Sequence, residues 1–174
     1  MQICPIDRGT FFEDPLNAAL ESKGIGTVSG GGTLMGTDGF AQHVDLELRL
    51  TDTSEGALDF VVQTIEDLGA PKGSTLLNDD AKSLRQFGRM EITAISLNGQ
   101  DLAPEVYESF DSDVFVQTLA SALKDAGRYQ GHFIGPKWAR FFFAGPSYRD
   151  MEAVLTPLVT QAAIGEGCEV FQLA

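Results

Sequence analysis

The chain has 174 residues, with 25 acidic side chains against 12 Lys and Arg and a formal net charge of −13. A field of that sign repels nucleic acid and anionic membrane, so functions that depend on gripping phosphate backbones or lipid headgroups are excluded. The length, the 43% hydrophobic content and twelve Phe suffice for a packed core without disulfides or metals.

Residues 3–6 are expected as a short first strand, at an edge because Pro5 lacks a ladder donor. Asp14 as N-cap and Pro15 as the first helical residue open a helix that buries Leu16, Ala19 and Leu20 and stops at Gly24. Residues 25–35 form a strand containing Gly30-Gly31-Gly32, and residues 36–39 a turn. Val44, Leu46, Leu48 and Leu50 then alternate with Asp45, Glu47 and Arg49, the period of a half-buried strand. Ser54 caps a helix whose Leu58, Val61, Val62, Ile65 and Leu68 share one face. Gly69 is placed for the left-handed position after it, Pro71 blocks continuation, and Thr75-Leu76-Leu77 is the next strand.

Residues 79–88 are polar and read as a linker. Residues 90–97 alternate as a strand and end in the turn Asn98-Gly99. Asp111 or Ser112 caps a helix carrying Phe115, Val116, Leu119 and Leu123, which ends at Gly127. Residues 129–134 and 138–143 form a hairpin around Gly135-Pro136-Lys137. Ser147 caps a last helix with Met151, Val154, Leu155 and Leu158, in which Pro157 is expected to make a kink or a break. Residues 168–173 close the chain as a strand.

Strand, helix, strand, strand, helix, strand is therefore expected twice. The fold class is α+β: two tandem ferredoxin-like βαββαβ units with antiparallel sheets and both helices on one face, at residues 1–78 and 89–174. The Gly-rich strand, the acidic alternating strand and the run Leu68-Gly69-Ala70-Pro71-Lys72-Gly73-Ser74 resemble small acidic bacterial proteins of uncharacterised and immunity-type families, over the first half of the chain.

Few residues point to chemistry. The glycine run is followed by neither a Lys-Ser/Thr pair nor a helix, so it reads as a bulge or a close backbone approach rather than a phosphate cradle. His43 and His132 are the only histidines and lie on separate strands; an enzyme would need one of them beside a carboxylate and a nucleophile. No metal-ligand spacing and no cofactor motif occurs, so no cofactor is expected. Cys4 and Cys168 read as buried thiols of a reducing compartment. With neither a leader pattern nor a spanning segment, a cytoplasmic location is expected.

The carboxylates are the strongest feature. Asp45 and Glu47 share the outer face of one strand, while Glu105, Glu108, Asp111 and Asp113 crowd the entrance to a helix. Together with Trp138 of the aromatic hairpin they are the expected contact residues for a basic protein, as in an immunity protein or inhibitor that neutralises a toxin. The outer side of the hairpin is assigned to contact between the two halves or between two copies in a homodimer. A small-molecule-binding regulatory module, with its ligand at the interface of the repeats, is the alternative.

Overall fold

The computed structural model describes residues 5–37, 39–135 and 137–173. The chain divides into two compact units, one of Met1–Gly36 with Ala41–Met90 and one of Thr37–Phe40 with Glu91–Ala174. Both mix helices with antiparallel sheets.

The first unit opens with a continuous helical run: α1 (Pro5–Arg8), a wide π turn (Gly9–Glu13) and α2 (Asp14–Lys23). Of the expected edge strand, Ile3 and Cys4 lie outside the described residues, and Pro5 and Ile6 belong to α1. Asp14 is not a cap, because its N–H reaches back five residues to the Gly9 carbonyl and the helix passes through it. The turn widens just before Pro15, whose ring nitrogen has no hydrogen for an ordinary helical bond. Gly24 ends α2 with φ 66°, a left-handed conformation suited to a residue without Cβ.

Next come β1 (Gly26–Met35) and β2 (Ala41–Leu50), paired antiparallel, and α3 (Glu55–Asp67), where the Ser54 hydroxyl accepts from the Ala57 N–H. Leu16 and Leu20 of α2 and Val61 of α3 are fully buried, and Val28, Leu46, Leu48 and Leu50 of the sheet pack against them. The alternation of β2 thus sends its leucines to the helices and Asp45 and Glu47 to solvent.

The stretch expected as a linker contains a strand. β3 (Ser74–Leu77) and β4 (Ser83–Phe87) form a hairpin, closed by Asn78, whose Oδ1 accepts from the Lys82 N–H at 2.9 Å. Charge ties the hairpin to α3: Arg85 donates to Glu55 and Asp59, and Arg89 meets Glu66 at 2.6 Å. Held by ion pairs rather than an apolar face, β4 shows no hydrophobic period in the sequence. Among the described residues, the four strands of this unit make two two-stranded sheets. The four-stranded sheet of the expected first βαββαβ copy is not among them.

The second unit contains β5 (Glu91–Asn98), α4 (Pro104–Glu108), α5 (Ser112–Leu123), β6 (Arg128–Ile134), β7 (Trp138–Gly145), α6 (Tyr148–Gln161) and β8 (Glu169–Gln172). Its strands form one antiparallel sheet in the order β6-β7-β5-β8. Ile95, Leu97, Phe141 and Phe143 project from one face into Leu119 and Leu123 of α5 and Met151, Leu155 and Val159 of α6. On the opposite face Ile92, Ala94 and Phe142 are buried as well. There Phe40 meets Phe133 edge-on at 5.6 Å, and the Arg140 guanidinium carbon lies 3.6 Å from the centre of the Phe40 ring.

Pro157 does not split α6. The carbonyl that its missing N–H leaves without a helical partner belongs to Ala153, an exposed residue, where such a group can be solvated. Among the described residues, no helix is long and apolar enough to cross a membrane.

Candidate functional site

The carboxylates singled out in the sequence fall into two groups, one in each unit. Asp45 and Glu47 are exposed on one face of β2, in register with Gly32 and Gly30. The absence of side chains on those glycines leaves that face open, and the Glu47 carboxylate lies over Gly30. On the other side, a Cβ on Gly31 would meet the Asp45 carbonyl at 2.6 Å and the Arg8 guanidinium carbon at 3.3 Å. Arg8 is ion-paired with Glu13 and donates to the Thr33 hydroxyl at 2.9 Å. A skip in register between Val28 and Gly30 adds a bulge, so the glycine run serves close packing.

In the second unit, Glu105 and Glu108 are exposed on α4, and Asp111 and Asp113 flank the start of α5. Asp111 has a structural task, accepting the N–H groups of Asp113 and Val114 at 2.9 and 3.0 Å. From Met90 to Leu123 the chain carries Glu91, Asp101, Glu105, Glu108, Asp111 and Asp113 and no Lys or Arg. Among the described residues, Asp101, Glu105, Glu108, Asp111 and Asp113 have no basic partner, in contrast to Glu55, Asp59 and Glu66. Trp138 is half-buried at the start of β7, in register with Asn98.

One feature of this unit is not legible as a motif. Tyr129 pairs with Phe143 and His132 with Phe141, so three residues of β6 span two of β7. The extra residue is a bulge, with Gly131 at φ 108°. In a regular strand, residues three apart face opposite ways; the bulge puts Tyr129 and His132 on one face. Their side chains then join, the Tyr129 hydroxyl lying 2.6 Å from His132 Nδ1. The Tyr129 and His132 rings lie 22° from parallel, and the His132 and Phe141 rings 24°. Together with Ser112, Asp113, Val116 and Gln117 of α5, these rings line an open hollow of about 150 Å³. A glycine inside a strand pattern is the one signal in the sequence that announces such a bulge.

The chemistry of the two histidines follows from their partners. His43 lies 3.6 Å from Asp45 with both side chains more than half exposed. His132 spends its Nδ1 on a phenol rather than on the carboxylate that orients the base of a nucleophilic triad. Among the described residues, no group of three or more His, Cys, Asp or Glu converges to hold a metal ion. Cys4 lies outside the described residues, and the half-buried Cys168 thiol is pushed up from its ordinary value, mainly by burial. No protein-family model, curated protein or solved structure matches this chain.

Proposed function

We propose that the protein is a non-enzymatic binding protein that takes a basic protein partner on its carboxylates, in the manner of an immunity protein or inhibitor. The observation that carries this reading is the stretch from Met90 to Leu123, where exposed Asp101, Glu105, Glu108, Asp111 and Asp113 stand without any Lys or Arg. In the first unit Glu13, Glu55, Asp59, Glu66 and Asp80 spend their charge internally, on Arg8, Arg85, Arg89 and Lys82. Unspent like charge on one segment raises the local potential and draws in a basic surface at a rate that falls with salt. Asp45 and Glu47 of β2 form a second acidic face on the first unit, and Trp138 offers an aromatic contact.

The sheet order β6-β7-β5-β8, with one helical segment between β5 and β6 and another between β7 and β8, supports a ferredoxin-like plait for the second unit. In that reading the α4–α5 segment is the first crossover, and its carboxylates ride on a rigid platform. At about 150 Å³, the hollow beside His132 is smaller than the roughly 300–1,000 Å³ that encloses a drug-sized ligand, which favours a protein partner over a metabolite.

The test is recovery of the protein from its native host. Wild type is expected to carry a basic polypeptide that salt releases, and Glu105→Gln with Glu108→Gln to carry much less of it. If no salt-sensitive basic polypeptide accompanies the wild type, the reading fails.

A further inference from the structure

We propose that the hollow formed by α5 and β6 is the anchor point for one arginine side chain of the partner. This inference rests on the reading of the protein as a receptor for a basic protein and specifies which group of that partner is recognised. Three observations carry it.

The first is the ring geometry. The His132 ring lies 22° from parallel to that of Tyr129 and 24° from parallel to that of Phe141, and all three contribute to the lining. A planar, weakly hydrated guanidinium stacks on such surfaces, whereas a compact ammonium gains less from a flat wall. The fold already uses this contact internally, with the Arg140 guanidinium carbon 3.6 Å from the Phe40 ring centre.

The second is charge. Asp113 lines the hollow and Asp111 stands two residues before it, while no Lys or Arg contributes to the lining. The start of a helix would ordinarily favour an anion, because its first N–H groups point outward unpaired. Here the Asp111 carboxylate has taken the N–H groups of Asp113 and Val114, and its own charge offsets the helix dipole. Around the hollow stand the Asp113 carboxylate, which only accepts, and the Ser112 hydroxyl and Gln117 amide, each with an oxygen able to accept. A guanidinium carries five donors in a fixed fork, which suits several acceptors around a flat floor.

The third is size. A hollow of about 150 Å³ takes the end of one side chain and little else. Interfaces concentrate their energy in a few such anchors, with Arg among the residues enriched there.

The test uses the full chain, isotopically labelled for amide NMR and titrated at low salt with the capped tripeptide Gly-Arg-Gly and separately with Gly-Lys-Gly. The arginine peptide is expected to give saturable shifts confined to residues 112–117 and 129–132 and to bind several-fold tighter than the lysine peptide. Asp113→Asn is expected to weaken it at least fivefold, while Glu166→Gln, an exposed carboxylate of the same unit outside the hollow, leaves it unchanged. Equal binding of the two peptides overturns the proposal, as do shifts spread over Asp45 and Glu47 as strongly as over the hollow.

Failure of the anchor and failure of the receptor reading separate cleanly. If Asp113→Asn combined with Tyr129→Phe still retains the salt-released polypeptide from the native host, the anchor is overturned and the acidic receptor stands. If the arginine peptide saturates the hollow while wild type retains no basic polypeptide, the guanidinium site stands and the receptor reading falls.

Discussion

Among the described residues, ten buried side chains of the second unit, from β5, β7, α5, α6 and Ile164, meet in one cluster; in the first unit three do so, and polar contacts take over much of the joining. The difference follows from sheet width. Four strands in the order β6-β7-β5-β8 give two helices a broad apolar floor, whereas β1 and β2 offer α2 and α3 a narrow one. The β3–β4 hairpin is tied to α3 through Arg85, Arg89 and Glu66. Exposed ion pairs contribute about 0–1 kcal/mol each, so charge stitches position the hairpin more than they stabilise it. Two ways of holding a sheet therefore coexist in one chain, and they differ in sensitivity to mutation.

The largest expected effect comes from the second unit. Phe143→Ala removes a fully buried ring from the centre of its cluster and is expected to cost about 3–5 kcal/mol, read by urea unfolding. A loss near zero would mean that this layer is not what holds the unit together. Glu66→Ala in the first unit is the next largest. Glu66 is 12% exposed and accepts from the Gly88 N–H at 3.0 Å as well as pairing with Arg89, so its removal strands a half-buried donor at about 1–3 kcal/mol. Faster hydrogen exchange at the Gly88 amide checks it. An effect as large as that of Phe143→Ala would erase the contrast between the units.

Asp111→Ala tests whether a carboxylate of the candidate surface also holds the fold. Loss of the α5 cap is expected to cost about 0.5–2 kcal/mol in thermal unfolding, while Asp111→Asn, which keeps an acceptor oxygen, loses little. Equal losses in the two variants would place the contribution in the charge rather than the cap.

The smallest effect is one of pH. Burial first, then the hydrogen bond to Glu152 and its charge, push the Tyr148 phenol up from 10.0 to about 12. The folded state therefore holds this proton more tightly than the unfolded chain does. The resulting stabilisation is fully present below about pH 10 and is lost as pH rises towards about 12. Tyr148→Phe should flatten the pH dependence of stability in that window, and an ultraviolet titration of the wild type should show one phenol ionising late.

Much of the layout was legible along the chain. Ser54, Asp111 and Ser147 mark the starts of α3, α5 and α6 through side-chain acceptors placed one turn from their donors. The alternation of Val44, Leu46, Leu48 and Leu50 marks β2. What escaped was any feature whose cause lies far along the chain. β4 is polar because Arg85 answers Glu55 and Asp59, 30 and 26 residues earlier, rather than an apolar floor. The helical run through Asp14 depends on a widened turn that no cap signal announces.

The candidate site divides the same way. Its carboxylates were visible as an unbroken acidic run, whereas the Tyr129–His132 pair depends on a bulge that turns residues three apart onto one face. Side-chain period and capping chemistry are local, so the sequence by itself determined α3, α5 and α6, the alternation of β2 and the acidic segment. Strand pairing and bulges are settled by hydrogen bonds between distant backbones, which carry almost no side-chain code. The tertiary structure alone therefore decided that β3 pairs with β4, that both faces of β5 are buried, and that an aromatic hollow opens beside Asp113.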